Sequence, residues 1–231
     1  MIRAKHSIWA DKLFEKYLNR LLKNHFYSIN VLSEYPVIKT DLPLIIIPNH
    51  STWWDGFLIY HLNKRIFGRR MFVMMEEKQL KKFPFFSKLG AFGVNAKSVK
   101  SILKSLKYAN SILKNAESML CVFPQGVLER WHKRPVKYKR GIEKIVESME
   151  GDSVLLPLGI RAEFTGEQRP EIFLNFGKSM LVNKTNFPGI QALESQHERL
   201  LDQLENKVKN GDKGEKIFTG KKSLSESKLK R

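Results

Sequence analysis

Cysteine is nearly absent from this 231-residue chain: Cys121 stands alone. A single thiol excludes an internal disulfide and any zinc site built on a cysteine cluster, and it fits a reducing compartment. Long apolar runs are missing as well. The best of them, Leu42 to Pro48, has the length of one strand, whereas crossing a bilayer takes about 20 apolar residues. Asp11, Lys12, Glu15 and Lys16 break any apolar stretch of the kind a signal peptide needs, so a protein made and kept in the cytoplasm is expected. Acidic residues are scarce: 23 Asp and Glu against 41 Lys and Arg leave a formal charge of +18. That surplus calls for an anionic partner: a nucleic acid, an acidic protein or an anionic membrane surface. Hydrophobic residues at 42%, with only 14 Gly and 9 Pro, exclude a collagen-like or wholly disordered chain.

Periodicity divides the chain into three parts. Over residues 7 to 30, Trp9, Leu13, Leu18, Leu22, Phe26 and Ile29 recur at helical spacing, with Lys12, Lys16, Arg20 and Lys23 between them. This predicts an N-terminal amphipathic helix within a segment 1–34. Two uses stay open for it: docking on its own domain, or lying in a membrane interface with aromatics in the headgroup zone. From 35 to 208, strand-length apolar runs alternate with helical stripes. The runs are Leu44–Pro48, Met71–Met75, Ala91–Val94, Met119–Phe123, Val154–Ile160 and Ile172–Phe176. Helices are predicted over Ser98–Asn115, Gly141–Met149 and Ile190–Val208. Strands apolar on both faces indicate an α/β fold, a single sheet of mixed, largely parallel strands covered by helices. Residues 209–231 read as a basic flexible tail.

Chemistry concentrates at two strand ends. Asn49-His50-Ser51-Thr52-Trp53-Trp54-Asp55 follows the first run of the sheet. A carboxylate five positions after a histidine, at a predicted helix start, can fold back onto the imidazole, fix its tautomer and raise the basicity of its far nitrogen. Spacing alone leaves the alternative of Asp55 as a helix cap and His50 as a loop residue. Phe123-Pro124-Gln125-Gly126 ends another run, in a turn that exposes backbone N–H groups. Tyr138-Lys139-Arg140-Gly141 opens a helix.

In this order and spacing the blocks resemble the glycerolipid acyltransferase family, typified by lysophosphatidic acid acyltransferases. The family's His-x4-Asp falls on His50 and Asp55. Its Phe-Pro-Glu-Gly-Thr-Arg falls on Phe123 to Leu128, with Gln125 for Glu and Val127-Leu128 for Thr-Arg. Its middle-block Arg falls on Ala96, with Lys97 beside it. A Pro-containing strand matches Val154 to Ile160. The resemblance makes 35–208 an acyltransferase domain. It implies a general base, His50, oriented by Asp55, that moves an acyl chain from a carrier thioester to a lipid hydroxyl. Coenzyme A or acyl carrier protein would be the donor, as co-substrate rather than cofactor. A peripheral position on the inner face of the membrane is expected, with an anionic membrane surface and a lipid acceptor as partners. No metal is expected, and no nucleic acid, since no nucleic-acid-binding signature appears.

The departures bear on the acceptor. The family's arginines are taken to hold an acceptor phosphate, a task for which their planar fork is suited. With both missing, a phosphate-free hydroxylated lipid fits better than lysophosphatidic acid, unless Lys97 or Arg130 substitutes. Arg130 reads equally as part of a solvated basic loop. Trp53 and Trp54 either shape a substrate pocket or pack at the sheet end. Asn49, Phe123, Pro124, Gln125 and Gly126 complete the expected substrate-binding set. Lys81 to Phe86, basic and aromatic around a proline, reads as an interfacial wedge or a buried loop.

Overall fold

The first helix is shorter than its spacing predicts. In the computed structural model, which describes residues 1–222, α1 runs Ile8–His25. Phe26 already has extended dihedrals, and the fully buried Ser28–Val31 forms strand β1. Steps from Leu22 to Phe26 and Ile29 suit a continuing helix, so periodicity alone carries it too far. Strand and helix then alternate: β2 (Leu44–Pro48), α2 (Asp55–Leu62), β3 (Arg70–Glu76), α3 (Glu77–Lys82), β4 (Ala91–Val94), α4 (Val99–Ile112) and β5 (Ser118–Cys121). The rest is α5 (Gly141–Glu147), β6 (Ser153–Glu163), β7 (Glu171–Phe176), β8 (Met180–Val182), α6 (Ile190–Lys209) and β9 (Glu215–Thr219).

The strands form one mixed sheet in the order β4-β3-β5-β2-β6-β7-β1-β9, with β8 pairing on β6. From β4 to β6 all pairings are parallel, whereas β7 runs antiparallel to β6 and β9 antiparallel to β1. The single, largely parallel sheet expected from the sequence is therefore present. β2 lies near its middle with every residue buried. Leu44 and Ile46 pack on the side of α1 and α2, and Ile45 and Ile47 on the side of α4 and α5. Each such side chain is worth about 1.5–3 kcal/mol when buried. A strand held on both faces fixes where the loop after Pro48 begins.

Both boundaries drawn from the sequence move. α1 buries Ala10, Phe14, Leu18 and Leu22 in the same core as Leu58 and Ile59, so 1–34 is part of the domain and not a separate segment. Its other face leaves Ile8, Trp9, Leu13 and Tyr17 exposed. The tail expected from Lys209 is also shorter, because β9 closes the edge of the sheet. Gly214, at φ +56°, lets the chain turn against β1, where an added Cβ would stand 2.1 Å from the Val31 carbonyl oxygen. The lysine-rich composition hid this strand, since edge strands carry lysine readily. Residues 223–231 of the expected tail lie outside the described residues. Among the described residues no helix is long and apolar enough to cross a membrane.

Candidate active site

The C-terminal ends of parallel strands leave a crevice where ligands bind, and β2 ends there between β5 and β6. Asn49 anchors the departing loop. Its Oδ1 accepts from Ile160 N–H at 2.7 Å and its Nδ2 donates to the Ile160 carbonyl at 3.0 Å. Buried and committed to β6, Asn49 positions the loop and offers no free group to a substrate, which corrects the binding role expected for it.

His50 follows, and Asp55 folds back to it at the start of α2. The Asp55 side chain is fully buried. Its Oδ2 lies 2.9 Å from His50 Nδ1 and accepts from the Ser51 and Thr52 N–H groups at 2.8 and 2.9 Å. Thr52 Oγ1 donates to Oδ1 at 2.6 Å. Of the two readings left open by the sequence the geometry shows the first: α2 has no side-chain cap, and the carboxylate instead closes the turn before the helix and holds the imidazole. A carboxylate only accepts, so Nδ1 carries the proton and Nε2 keeps a lone pair. The His50 ring stacks on Phe123, with centroids 4.2 Å apart at 28°. That contact fixes the ring plane and leaves its edge for a reactant.

The loop after β5 grips the same turn. Gln125 is buried, and its Oε1 accepts from the His50 backbone N–H at 2.7 Å. Its Nε2 donates to Glu129 Oε2 at 3.1 Å, and Glu129 N–H donates to the His50 carbonyl at 2.8 Å. Glu129 is a site residue that the sequence reading missed. Its one signal is a carboxylate four positions after Gln125. It also accounts for the glutamine, since a carboxylate at 125 would face the one at 129 without a proton between them. Trp131 pins the loop to β6 by donating to the Ile160 carbonyl at 2.8 Å, the same oxygen that Asn49 uses.

Gly126 sits at φ +68°, and Lys139 crosses it so closely that a Cβ there would be 2.8 Å from Lys139 Cδ and 3.2 Å from Nζ. Lys139 N–H donates to the Pro124 carbonyl at 2.8 Å, which ties the start of α5 to this turn. The geometry thus brings the Lys139 ammonium to the loop. Among the described residues, Lys97 and Arg130 are exposed and neither side chain contacts the dyad. Val127 and Leu128 are 49% and 55% exposed beside the turn.

Trp53 points outward, 64% exposed, edge-on to Phe57 at 4.6 Å. Trp54 turns inward, edge-on to Phe26 at 4.9 Å, and so belongs to packing. The Lys81–Phe86 segment divides likewise. Phe85 and Phe86 pack towards Phe14 while Phe83 remains exposed under Lys82. Burial pushes the Cys121 thiol up, aided by the Asp55 charge, so it is an inert core residue.

Comparisons with known proteins bear on the family and the fold. The Acyltransferase family model matches residues 30–161, more than half of the chain, a span that holds the His50–Asp55 turn and the Phe123–Glu129 loop. The chain belongs to the acyltransferase family, and it is an enzyme of that class. Among solved structures it is similar to the 1-acyl-sn-glycerophosphate (LPA) acyltransferase PlsC from Thermotoga maritima. The two are 19% identical with a TM-score of 0.57, over 85% of this chain and 78% of that one. No curated protein sequence matches the chain.

Proposed function

We propose that this enzyme moves a fatty acyl chain from a coenzyme A or acyl carrier protein thioester to a hydroxyl of a membrane lipid. The observation that supports the reading is the His50–Asp55 pair, at 2.9 Å, at a crevice end of the sheet. His50 Nε2 takes the proton of the acceptor hydroxyl as its oxygen attacks the thioester carbonyl. The tetrahedral intermediate then expels the thiolate, which recovers the proton from His50. The acceptor oxygen takes the part a serine plays in a triad, so no protein nucleophile is required. Asp55 stabilises the imidazolium as it forms.

The protein works at the inner face of the membrane. The exposed face of α1, with Trp9, Leu13 and Tyr17 among lysines, suits an anionic interface, as does Phe83 under Lys82. The acceptor is a phosphate-free hydroxylated lipid. Two arginine–phosphate contacts at about 1.5–3 kcal/mol each have no counterpart at Leu128 and Ala96. The runner-up, lysophosphatidic acid, needs a substitute cation, for which Lys139 is the candidate at the turn. The test is a competition between lysophosphatidic acid and a phosphate-free hydroxylated lipid, with one acyl donor and purified protein. The phosphate-free lipid should be used at least as well. A strong preference for lysophosphatidic acid that collapses in Arg130→Ala or Lys139→Ala would overturn the acceptor assignment and restore the ordinary family reaction.

A further inference from the structure

Away from the dyad, at the other end of α2, lies an open cavity of about 520 Å³ between α1, the turn after α2 and β9. Arg20 and Lys23 enter it from α1, Arg65 from the turn and Lys216 from β9, over a floor that includes Ile217 and Phe218. The β1–β9 register shifts between Ile29 and Asn30, which leaves Ile217 unpaired against that floor. Four basic residues line it from three elements, and among the described residues none of them is ion-paired, the Lys216 ammonium lying over the Tyr27 ring at 5.1 Å. The nearby carboxylates Asp11 and Glu15 are taken by Lys64. Behind Phe218 sits His61, buried and 5.2 Å from that ring, with Nε2 lacking a hydrogen-bond partner. Burial and the charge of Arg65 lower its pKa to about 4, so no further positive charge is added there.

Converging cations without counter-charges repel one another unless an anion joins them. We propose that this cavity binds the phosphate headgroup of an anionic phospholipid, a site separate from the catalytic one, which seats the enzyme on the membrane. The lipid is favoured over a soluble phosphate by the helix that supplies the cations. Trp9, Leu13, Tyr17 and Arg20 follow at steps of three and four, so interfacial aromatics and headgroup cations share one exposed face of α1. The proposal rests on the membrane-surface reading above, but its test needs no turnover.

The experiment measures binding of the full chain, in a His50→Ala background, to vesicles of phosphatidylglycerol and of phosphatidylcholine. Arg65→Ala with Lys216→Ala removes two cavity cations that lie off α1. Lys104→Ala with Lys107→Ala removes the same charge from α4, on the opposite side of the sheet. The cavity pair should weaken phosphatidylglycerol binding roughly thirtyfold, at about fivefold per cation. The α4 pair should change it far less, and phosphatidylcholine binding should stay weak throughout. Equal losses from both pairs would mean diffuse attraction and no site. Titration of inorganic phosphate or glycerol phosphate into the free protein separates the sources. Tight binding lost in the cavity pair, with vesicle binding unchanged, would assign the site to a soluble phosphate and overturn the proposal.

Discussion

His50 and His197 are both hydrogen-bonded through Nδ1 beside the same sheet, yet their settings differ in every respect that matters for proton transfer. His50 meets a carboxylate at Nδ1, and its side chain is 24% exposed. His197 meets the Tyr138 hydroxyl at Nδ1 and the Leu158 carbonyl at Nε2, 3.2 Å away, and is fully buried. With Tyr138 donating to Nδ1 and Nε2–H donating to Leu158, the second imidazole is neutral and has no lone pair left. Burial, with a contribution from Arg134, lowers its pKa to about 4. A histidine spent at both nitrogens is a strut between α6, the loop before α5 and β6. One held at a single nitrogen by an acceptor keeps a lone pair, which the base proposed for this enzyme needs. Counting histidines in the sequence cannot make this distinction, because the second partner decides it.

Substitutions sharpen that contrast. His50→Ala should lower turnover by about 10³ while leaving the unfolding midpoint unchanged. Near wild-type turnover of the purified variant would remove His50 from the mechanism. Asp55→Asn should cost about 10², since an amide can turn its NH₂ towards Nδ1 and favour the wrong tautomer. The loss should show in kcat more than in KM.

At His197 the expected readout is stability and its pH dependence. The folded pKa of about 4 lies below the ordinary 6.5, so the unfolded chain binds more protons between those values. Stability should be complete above pH 6.5 and fall as the pH drops towards 4, by up to about 3 kcal/mol for this histidine. His61, also near 4, adds in the same direction. Urea midpoints at pH 7 and 4.5 measure the fall. His197→Phe should flatten it, and an unchanged slope in that variant would assign the pH dependence elsewhere.

The smallest effect is expected at Gln125. Gln125→Glu should cost about tenfold in activity by setting two carboxylates together, and Glu129→Gln in the same chain should recover most of it. A double variant no better than the single one would separate Glu129 from the His50 turn.

What the sequence revealed follows from how local the signals are. β2, β5 and β6 announce themselves through the apolar runs Leu44–Pro48, Met119–Cys121 and Val154–Ile160, which are buried on both faces of the sheet. The His50–Asp55 pair is legible because five positions span one turn. β1 was hidden by Phe26 and Ile29, whose spacing suits a helix as well as a strand. β9 was hidden by its lysines, and Glu129 because a lone carboxylate four positions after Gln125 is a weak signal. The basic cavity was illegible in principle, since Arg20, Lys23, Arg65 and Lys216 meet only through tertiary structure.

The closing of the sheet by β1 and β9 has a further consequence for biosynthesis. β1 leaves the ribosome well before its partners, β7 and β9, which lie more than 140 residues later in the chain. Its backbone donors and acceptors therefore wait, unpaired, through most of translation. A chain stalled before Glu215 would expose β1 as an open edge able to recruit strands from other chains.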